Sequence, residues 1–179
     1  MTRWICLLRG VNVLGSSTLP MKELAALFTR LGLKKVETYI QSGNVVFSSP
    51  ARSAGPLAAK IRRAILDAQG IDPHVIVITQ DELEAAARHN PFPKAVREPK
   101  TLHLFFLDAE PQDPDIGKLE LRRAKRERFA LIEKVFYLHT PDGFAESKVR
   151  GAIERALGVP ATARNWRTVT KLIELAEGG

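Results

Sequence analysis

The sequence contains a single cysteine, Cys6, among its 179 residues, so no internal disulfide can form. Cys6 lies within a short apolar run near the N-terminus. A thiol in such a run is typical of a buried strand, and no neighbour in the sequence would lower its pKa and activate it. The sequence therefore predicts a buried, inert cysteine.

Long apolar runs are also missing. No stretch approaches the roughly 18 uninterrupted apolar residues that a membrane helix requires. The N-terminal run Trp4–Leu8 stops at Arg9, and it is shorter than the apolar core of about 7–15 residues in a secretion signal. We therefore interpret this run as a first strand and expect a cytoplasmic protein with no membrane partner.

Familiar catalytic and metal-binding patterns are absent. The four histidines stand singly and have no cysteine partner; they are His74, His89, His103 and His139. The chain lacks Gly-x-Ser-x-Gly, and its Gly10–Gly15 loop lacks the Gly-Lys-Ser/Thr ending of a phosphate-binding Walker loop. The sequence therefore predicts no metal and no cofactor. It identifies no catalytic residue and does not decide whether the protein is an enzyme.

The composition that remains is that of a basic globular protein, with 45% hydrophobic and 26% charged residues and a net charge of +7. This charge favours anionic partners and is compatible with nucleic acid. The densest basic run could be a nucleic-acid contact, but we favour a solvated helix face with extended side chains. Its members are Lys118, Arg122, Arg123, Lys125, Arg126 and Arg128.

Hydrophobic periodicity in the first half follows the order β-α-β-β-α-β, which is the ferredoxin-like pattern. A trailing helix follows, and Thr79 and Glu82 have the spacing of a capping box at its start. The predicted strands are Trp4–Arg9, Val36–Gln41, Asn44–Ser48 and His74–Ile78, with a two-residue hairpin at Ser42-Gly43. The predicted helices begin near Pro20 and Pro56 and end at Gly32 and Gly70.

The second half repeats this order, including the trailing helix, which Asn165 is expected to cap. Its predicted strands are Leu102–Leu107, Phe129–Ile132, Val135–His139 and Ala161–Arg164, with helices around Ile116–Leu119 and over Ser147–Leu157. We interpret the chain as an internal duplication. The predicted fold is α+β, with two ferredoxin-like βαββαβ subdomains at 1–90 and 101–179, a linker at 91–100, and an extra trailing helix on each subdomain.

The first strand of each half is apolar on both faces, which is typical of a strand that is covered on both sides. These strands are Trp4–Leu8 and Leu102–Leu107. The residues expected in the core are Leu8, Leu24, Phe28, Ile65, Val77, Leu104, Ile153 and Leu172.

Strand directions bring polar residues together at one edge of each predicted sheet. In a βαββαβ unit the first two strands are parallel, so their C-terminal ends meet at the same edge. This places the Gly10–Gly15 loop, a possible anion nest or a plain loop, beside the first hairpin. The side chains expected to converge there are Arg9, Asn12, Gln41, Ser42 and Asn44.

At the corresponding edge of the second half, the 140–148 segment should approach the end of the last strand. The residues expected there are Lys148, Arg164, Asn165 and Trp166. Arginine can bind a carboxylate or phosphate with two parallel hydrogen bonds, and tryptophan offers a flat apolar face. Both sets are candidate ligand-binding residues. The alternative is that they are helix caps, turn formers and core residues.

Several segments, in this order along nearly the whole chain, resemble those of a widespread bacterial family, the domain-of-unknown-function family 1697. They are Leu7–Val13, Thr38–Val45, Asn90–Phe92, Ser147-Lys148 and Ala163–Val169. The resemblance implies a two-part ferredoxin-like α+β fold. It carries no catalytic residue, because the activity of the family is not established.

The chain departs from that family pattern in two places. Relatives often have a second glycine and basic or amide residues where this chain has Leu14, Ser16, Ser17 and Thr18. They often have Gly-Arg where this chain has Ala145-Glu146. Both departures remove positive charge or backbone freedom, which weakens a phosphate-binding interpretation of these two loops.

The hypothesis that best fits these features is a protein that binds a small anionic or nucleotide-like ligand, with the reaction undetermined. A weak electrostatic nucleic-acid-binding module is the first alternative, although the aromatic signature of RNA-recognition motifs is absent. A protein-interaction scaffold is the second, and a large exposed apolar patch would indicate it. The sequence does not specify an oligomeric state.

Overall fold

The computed structural model describes residues 1–12 and 18–178. The strands are β1 (Thr2–Arg9), β2 (Lys34–Tyr39), β3 (Asn44–Ser49), β4 (His74–Thr79), β5 (Leu102–Leu107), β6 (Arg128–Ile132), β7 (Val135–His139) and β8 (Ala161–Asn165). The helices are α1 (Met21–Arg30), α2 (Ala54–Gln69), α3 (Gln80–Arg88), α4 (Ile116–Glu120), α5 (Ile153–Leu157) and α6 (Trp166–Glu177), with a 3₁₀ helix at Pro93–Arg97. No helix in the described ranges is both long and apolar enough to cross a membrane.

The described strands form two four-stranded antiparallel sheets of the same topology. The first has the order β2-β3-β1-β4, and the second has the order β6-β7-β5-β8. In each sheet, the first strand of its half lies between the third and the fourth. This arrangement confirms the predicted fold, which has two ferredoxin-like βαββαβ halves with a trailing helix on each.

The chain divides into two compact units. The first comprises Met1–Ala85 together with Lys171–Gly179, and the second comprises Ala86–Thr170. The end of the last helix therefore belongs to the first unit. There Arg3 Nη2 donates a hydrogen bond to the carbonyl oxygen of Leu175 at 3.1 Å.

The core of the first unit lies between one face of its sheet and helices α1 and α2. Alternate residues of β1 point into it, including Cys6 and Leu8, and the rings of Phe28 and Phe47 meet edge to face at 5.3 Å. Ile5 and Leu7 on the opposite face of β1 are also buried. Burial on both faces confirms the prediction made from the apolar first strand.

The core of the second unit lies between its sheet and helices α4 and α5, with Phe105, Leu119 and Ile153 among its members. On the other face, the Tyr137 hydroxyl donates to the carbonyl oxygen of Ala86 at 2.7 Å. Burial raises the pKa of Tyr137 to about 12, and the charge of Glu133 acts in the same direction. All eight core residues predicted from the sequence are buried: Leu8, Leu24, Phe28, Ile65, Val77, Leu104, Ile153 and Leu172.

Two helix caps follow the predicted chemistry. The Thr79 backbone amide donates to Glu82 Oε2 at 2.7 Å, and the Glu82 amide donates to Thr79 Oγ1 at 3.1 Å, which completes the capping box of α3. Asn165 Oδ1 accepts the Thr168 amide at 2.9 Å at the start of α6. Each cap satisfies amides that the helix itself leaves without partners.

Two predicted boundaries are wrong. The segment Ser147–Leu157 was expected to be one helix, but only Ile153–Leu157 is helical. The residues before it form tighter turns, in which the Ala152 amide donates to the Val149 carbonyl. In the first hairpin, Tyr39 pairs with Asn44, so the connection is four residues long and not two. Ile40 leaves the strand there with φ of +48°.

Gly43 is the position in this hairpin where glycine is required. Its φ is +75°, and an added Cβ would lie 2.6 Å from Leu8 Cβ. The close approach coincides with a hydrogen bond from the Leu8 amide to the Gly43 carbonyl at 2.8 Å. A side chain would therefore strain the backbone and separate the hairpin from β1.

Gly43→Ala should lower the free energy of unfolding by about 3 kcal/mol or more, because left-handed strain and overpacking add at this site. Gly70→Ala is the matched control. Gly70 has φ of +67°, and an added Cβ there would have no neighbouring atom within 4 Å. Gly70→Ala should therefore lower the free energy of unfolding only by the backbone strain of about 1–2 kcal/mol. Urea denaturation of both variants measures the difference. Equal losses would show that the contact with Leu8 has no energetic consequence.

Candidate functional site

The two loops predicted to meet at the edge of the first sheet do lie side by side. The Leu8 amide bonds the Gly43 carbonyl, and Asn12 Nδ2 donates to the Gln41 carbonyl at 2.8 Å. The register β1–β3 produces this contact, because Leu7 pairs with Asn44. Residues 13–15 of the predicted anion nest lie outside the described residues, as do Leu14, Ser16 and Ser17 of the departures from the family pattern.

The Asn12 side chain forms hydrogen bonds to backbone groups around it. Nδ2 donates to the carbonyls of Leu19 and Gln41 at 2.7 and 2.8 Å, and Oδ1 accepts the Leu19 amide at 2.7 Å. Its φ is +53°, a conformation that asparagine tolerates better than most residues. Asn12 therefore joins the start of the loop to its end and to the first hairpin.

Asn44 is fully buried, and its Nδ2 donates to the Tyr39 carbonyl at 3.0 Å and to Ser42 Oγ at 3.1 Å. These bonds hold the hairpin loop closed. Ser42 is half-buried, whereas Arg9 and Gln41 are exposed. At this edge the structure thus brings together two asparagines that hold loops and two exposed side chains that can reach solvent.

Arg164 and Asn165 of the predicted second set lie at the end of β8. His139 pairs with Leu102 and Asn165 pairs with His103, so β7 and β8 end at one edge of the second sheet. Asn165 caps α6. Arg164 is buried, and its Nη1 donates to the Ala163 carbonyl at 2.8 Å.

The remaining two members of this set differ in exposure. Trp166 is half-buried, and its carbonyl accepts Thr170 Oγ1 at 3.1 Å within α6. Lys148 is exposed and lies in the turns that precede α5. Of the second set, Lys148 is therefore the member best placed to meet a ligand from solvent.

Lys148 lines a cavity of about 430 Å³ in the second unit. We call this cavity the basic pocket. Its wall contains five cationic side chains and no carboxylate. The lining residues are Lys118, Arg122, Ser147, Lys148, Arg150, Gly151, Ala152 and Arg155. The pocket thus combines part of the predicted basic run with part of the predicted second set.

Three neighbouring segments supply these cations. Lys118 lies in α4, and Arg122 lies in the turn that follows the helix, where its amide donates to the Leu119 carbonyl at 3.0 Å. The turns before α5 supply Lys148 and Arg150, and α5 supplies Arg155. A hydrogen bond of 2.8 Å from the Asp115 amide to the Ala156 carbonyl fixes α4 against α5.

Two members of the basic run outside the pocket have counter-ions. Arg123 pairs with Glu120 at 2.8 Å, Arg126 pairs with Asp142, and Arg128 donates to the carbonyls of Lys125 and Glu127. Within the described ranges, none of the five pocket cations has a carboxylate within salt-bridge distance. Carboxylates therefore neutralise Arg123 and Arg126, whereas the five pocket cations have no such partner in the part of the chain that the structure describes.

An aromatic stack connects the pocket to the core. The Arg150 guanidinium lies 5.4 Å from the centre of the Phe144 ring, and the His103 ring stacks on Phe144 at 3.6 Å with an angle of 12° between the planes. His103 is buried, and its Nδ1 has no hydrogen-bond partner among the described residues. Burial, aided by the charge of Arg150, lowers the pKa of His103 to about 4. The imidazole is therefore neutral at pH 7.

Sequence reasoning did not select Arg150 or Arg155, and it treated Lys118 and Arg122 as a solvated helix face. No spacing in the sequence identifies these cations as one group, because Arg122 and Arg150 lie in turns and Lys118 and Arg155 lie in two different helices. Among the described residues, no group of three or more His, Cys, Asp or Glu side chains is arranged to hold a metal ion.

His103 makes stability depend on pH. Its ordinary pKa of 6.5 falls to about 4 on folding, so the unfolded chain binds the proton more tightly. The contribution is full above pH 6.5 and declines by about 1.4 kcal/mol per pH unit as the pH falls toward 4. In urea denaturation at several pH values, His103→Leu should reduce this dependence of stability on pH, whereas His89→Gln at an exposed histidine should retain it; burial also lowers the pKa of His139, which leaves a smaller dependence of the same sign. An unchanged slope in His103→Leu would contradict the assignment.

Asn12→Asp tests the loop connection, because the substitution keeps the shape but replaces two donors by acceptors that face carbonyls. We expect a loss of about 2 kcal/mol or more in the free energy of unfolding. Gln41→Ala is the control, since its backbone carbonyl remains, and the change should stay within about 0.5 kcal/mol. If the two variants lose equal stability, the Asn12 bonds do not hold the loop.

Comparison with known proteins adds a family and a fold. The family model described as "Protein of unknown function (DUF1697)" matches residues 1–137. Conserved bacterial protein SP0830 from Streptococcus pneumoniae has a similar structure, with a TM-score of 0.73 and 25% sequence identity over 98% of each chain. No curated protein matches the sequence. The chain belongs to the DUF1697 family, as the segments from Leu7–Val13 to Asn90–Phe92 indicated.

Proposed function

We propose that the protein binds a small phosphate-type anion in the basic pocket. The observation that carries this proposal is the set of five cations around one cavity, none of which has a counter-ion in the described part of the chain. The cavity of about 430 Å³ falls within the range of roughly 300–1,000 Å³ that small-ligand sites occupy.

The charges that line the pocket favour the binding of an anion. Like charges that share a concave surface repel one another, and the surrounding protein concentrates their field in the cavity. A bound anion removes that repulsion and gains charge-assisted hydrogen bonds. Arg122, Arg150 and Arg155 can each present two parallel N–H groups to phosphate oxygens, which a lysine cannot do.

The distribution of counter-ions favours a compact ligand over a nucleic-acid strand. A strand would follow a stripe of free cations, but next to the pocket Arg123 and Arg126 are already paired. The net charge of +7 supports only weak, salt-sensitive attraction to nucleic acid. For an interaction scaffold, the exposed large hydrophobic residues of the described chain, Met1, Ile40 and Leu121, are too few to make a patch.

Thermal unfolding in sodium phosphate and in sodium chloride of equal ionic strength tests the proposal. At ten times Kd a specific anion stabilises the fold by about 1.4 kcal/mol, which corresponds to a rise in Tm of about 3–6 °C for a chain of this size. Lys148→Gln and Arg155→Gln should reduce this rise strongly. They should also stabilise the ligand-free protein at low salt, because repulsion falls.

The matched controls are Lys22→Gln and Arg52→Gln, which remove the same charge from exposed positions in the first unit. Both should retain the wild-type response to phosphate. If phosphate and chloride raise Tm equally, or if the controls respond like the pocket variants, the pocket is not an anion site. Tighter binding of an RNA oligonucleotide than of phosphate, retained at high salt, would instead favour the nucleic-acid alternative.

A further inference from the structure

We infer that the ligand of the basic pocket carries at least two phosphoryl groups and an organic portion that lies against Leu121. Such ligands belong to the class of nucleoside diphosphates and triphosphates. This inference rests on the proposed function, since it specifies the ligand of the same pocket. Two features of the described residues support it: the number of cations in the wall and the exposed side chain beside them.

The charge of the pocket exceeds what one phosphate neutralises. A phosphate monoester carries about −1.5 to −2 at pH 7, whereas five cations line the cavity. A monophosphate would leave most of the excess positive charge in place. A diphosphate or triphosphate brings the site much closer to neutrality.

Hydrogen-bond geometry leads to the same conclusion. A terminal phosphoryl group presents three oxygens. The three arginine forks and the ammonium groups of Lys118 and Lys148 offer more donors than those oxygens accept. The cations also come from three separate segments. Two or three linked phosphoryl groups can contact cations from all three segments, whereas a single phosphoryl group can contact only some of them.

Leu121 supplies an apolar surface beside the cations. It is 91% exposed, compared with 77% for Met1 and 49% for Ile40, the other exposed large hydrophobic residues of the described chain. Its amide donates to the Gly117 carbonyl at 3.1 Å, so it continues the turn that carries Lys118 and directly precedes Arg122. A lone exposed leucine is ordinary, and Leu121 is not itself one of the residues that line the pocket. It lies three residues after Lys118 and one before Arg122 in the chain, and this position next to two pocket cations would let it meet the organic part of a ligand.

Titration calorimetry with orthophosphate, pyrophosphate and ADP, at constant ionic strength and without divalent cations, tests the inference. We expect Kd to fall at least tenfold from orthophosphate to pyrophosphate, and about three- to tenfold further for ADP. Leu121→Ser should abolish the second gain and leave pyrophosphate binding unchanged. Ile40→Ser, at an exposed apolar position in the first unit, is the control and should bind all three ligands like the wild type.

The outcomes separate this inference from the proposed function. If orthophosphate and pyrophosphate bind equally well, the polyphosphate inference is wrong although the pocket still binds an anion. If Leu121→Ser leaves the ratio of the ADP and pyrophosphate affinities unchanged, no organic group lies on Leu121, and that part of the inference is wrong. If none of the three ligands binds more tightly than chloride does, both the inference and the proposed function are wrong.

Discussion

Each sheet depends on a central strand that is paired along both sides and buried on both faces. β1 pairs with β3 and β4, and β5 pairs with β7 and β8. Because the first strand occupies the centre, the third and fourth strands end at the same edge, and the loop after the first strand meets the first hairpin. Asn12 and Asn44 of the first predicted set, and Asn165 of the second, lie at the edges that this pairing creates.

The two halves use the same topology differently. In the first half, α2 is a continuous helix of 16 residues. The side chains of Asn12 and Asn44 close the loops at the edge of the first sheet. In the second half, α5 is only five residues long, and turns replace the helix before it. Those turns carry Lys148 and Arg150 away from a regular helix face and into the wall of the basic pocket. The structural difference between the halves thus begins with a shortened helix.

Charge pairing distinguishes the cations that have a carboxylate partner from those that do not. Arg3 is held by Glu37 at 2.6 Å, and Arg62 is held by Asp72 at 2.5 Å. The Arg3 side chain is largely buried, whereas the Arg62–Asp72 pair is exposed to solvent, which screens its charges. The pocket cations have no such pair within the described residues.

The sequence by itself determined the order of strands and helices, the eight core residues and the caps at Thr79 and Asn165, because periodicity and capping chemistry are local. It also brought Asn12 beside the first hairpin, since strand direction follows from the crossover. Only the tertiary structure decided where the helix before Leu157 begins and which cations lack counter-ions. Those properties depend on residues distant in sequence, such as Asp142 opposite Arg126, and the sequence pattern contains no distances between them.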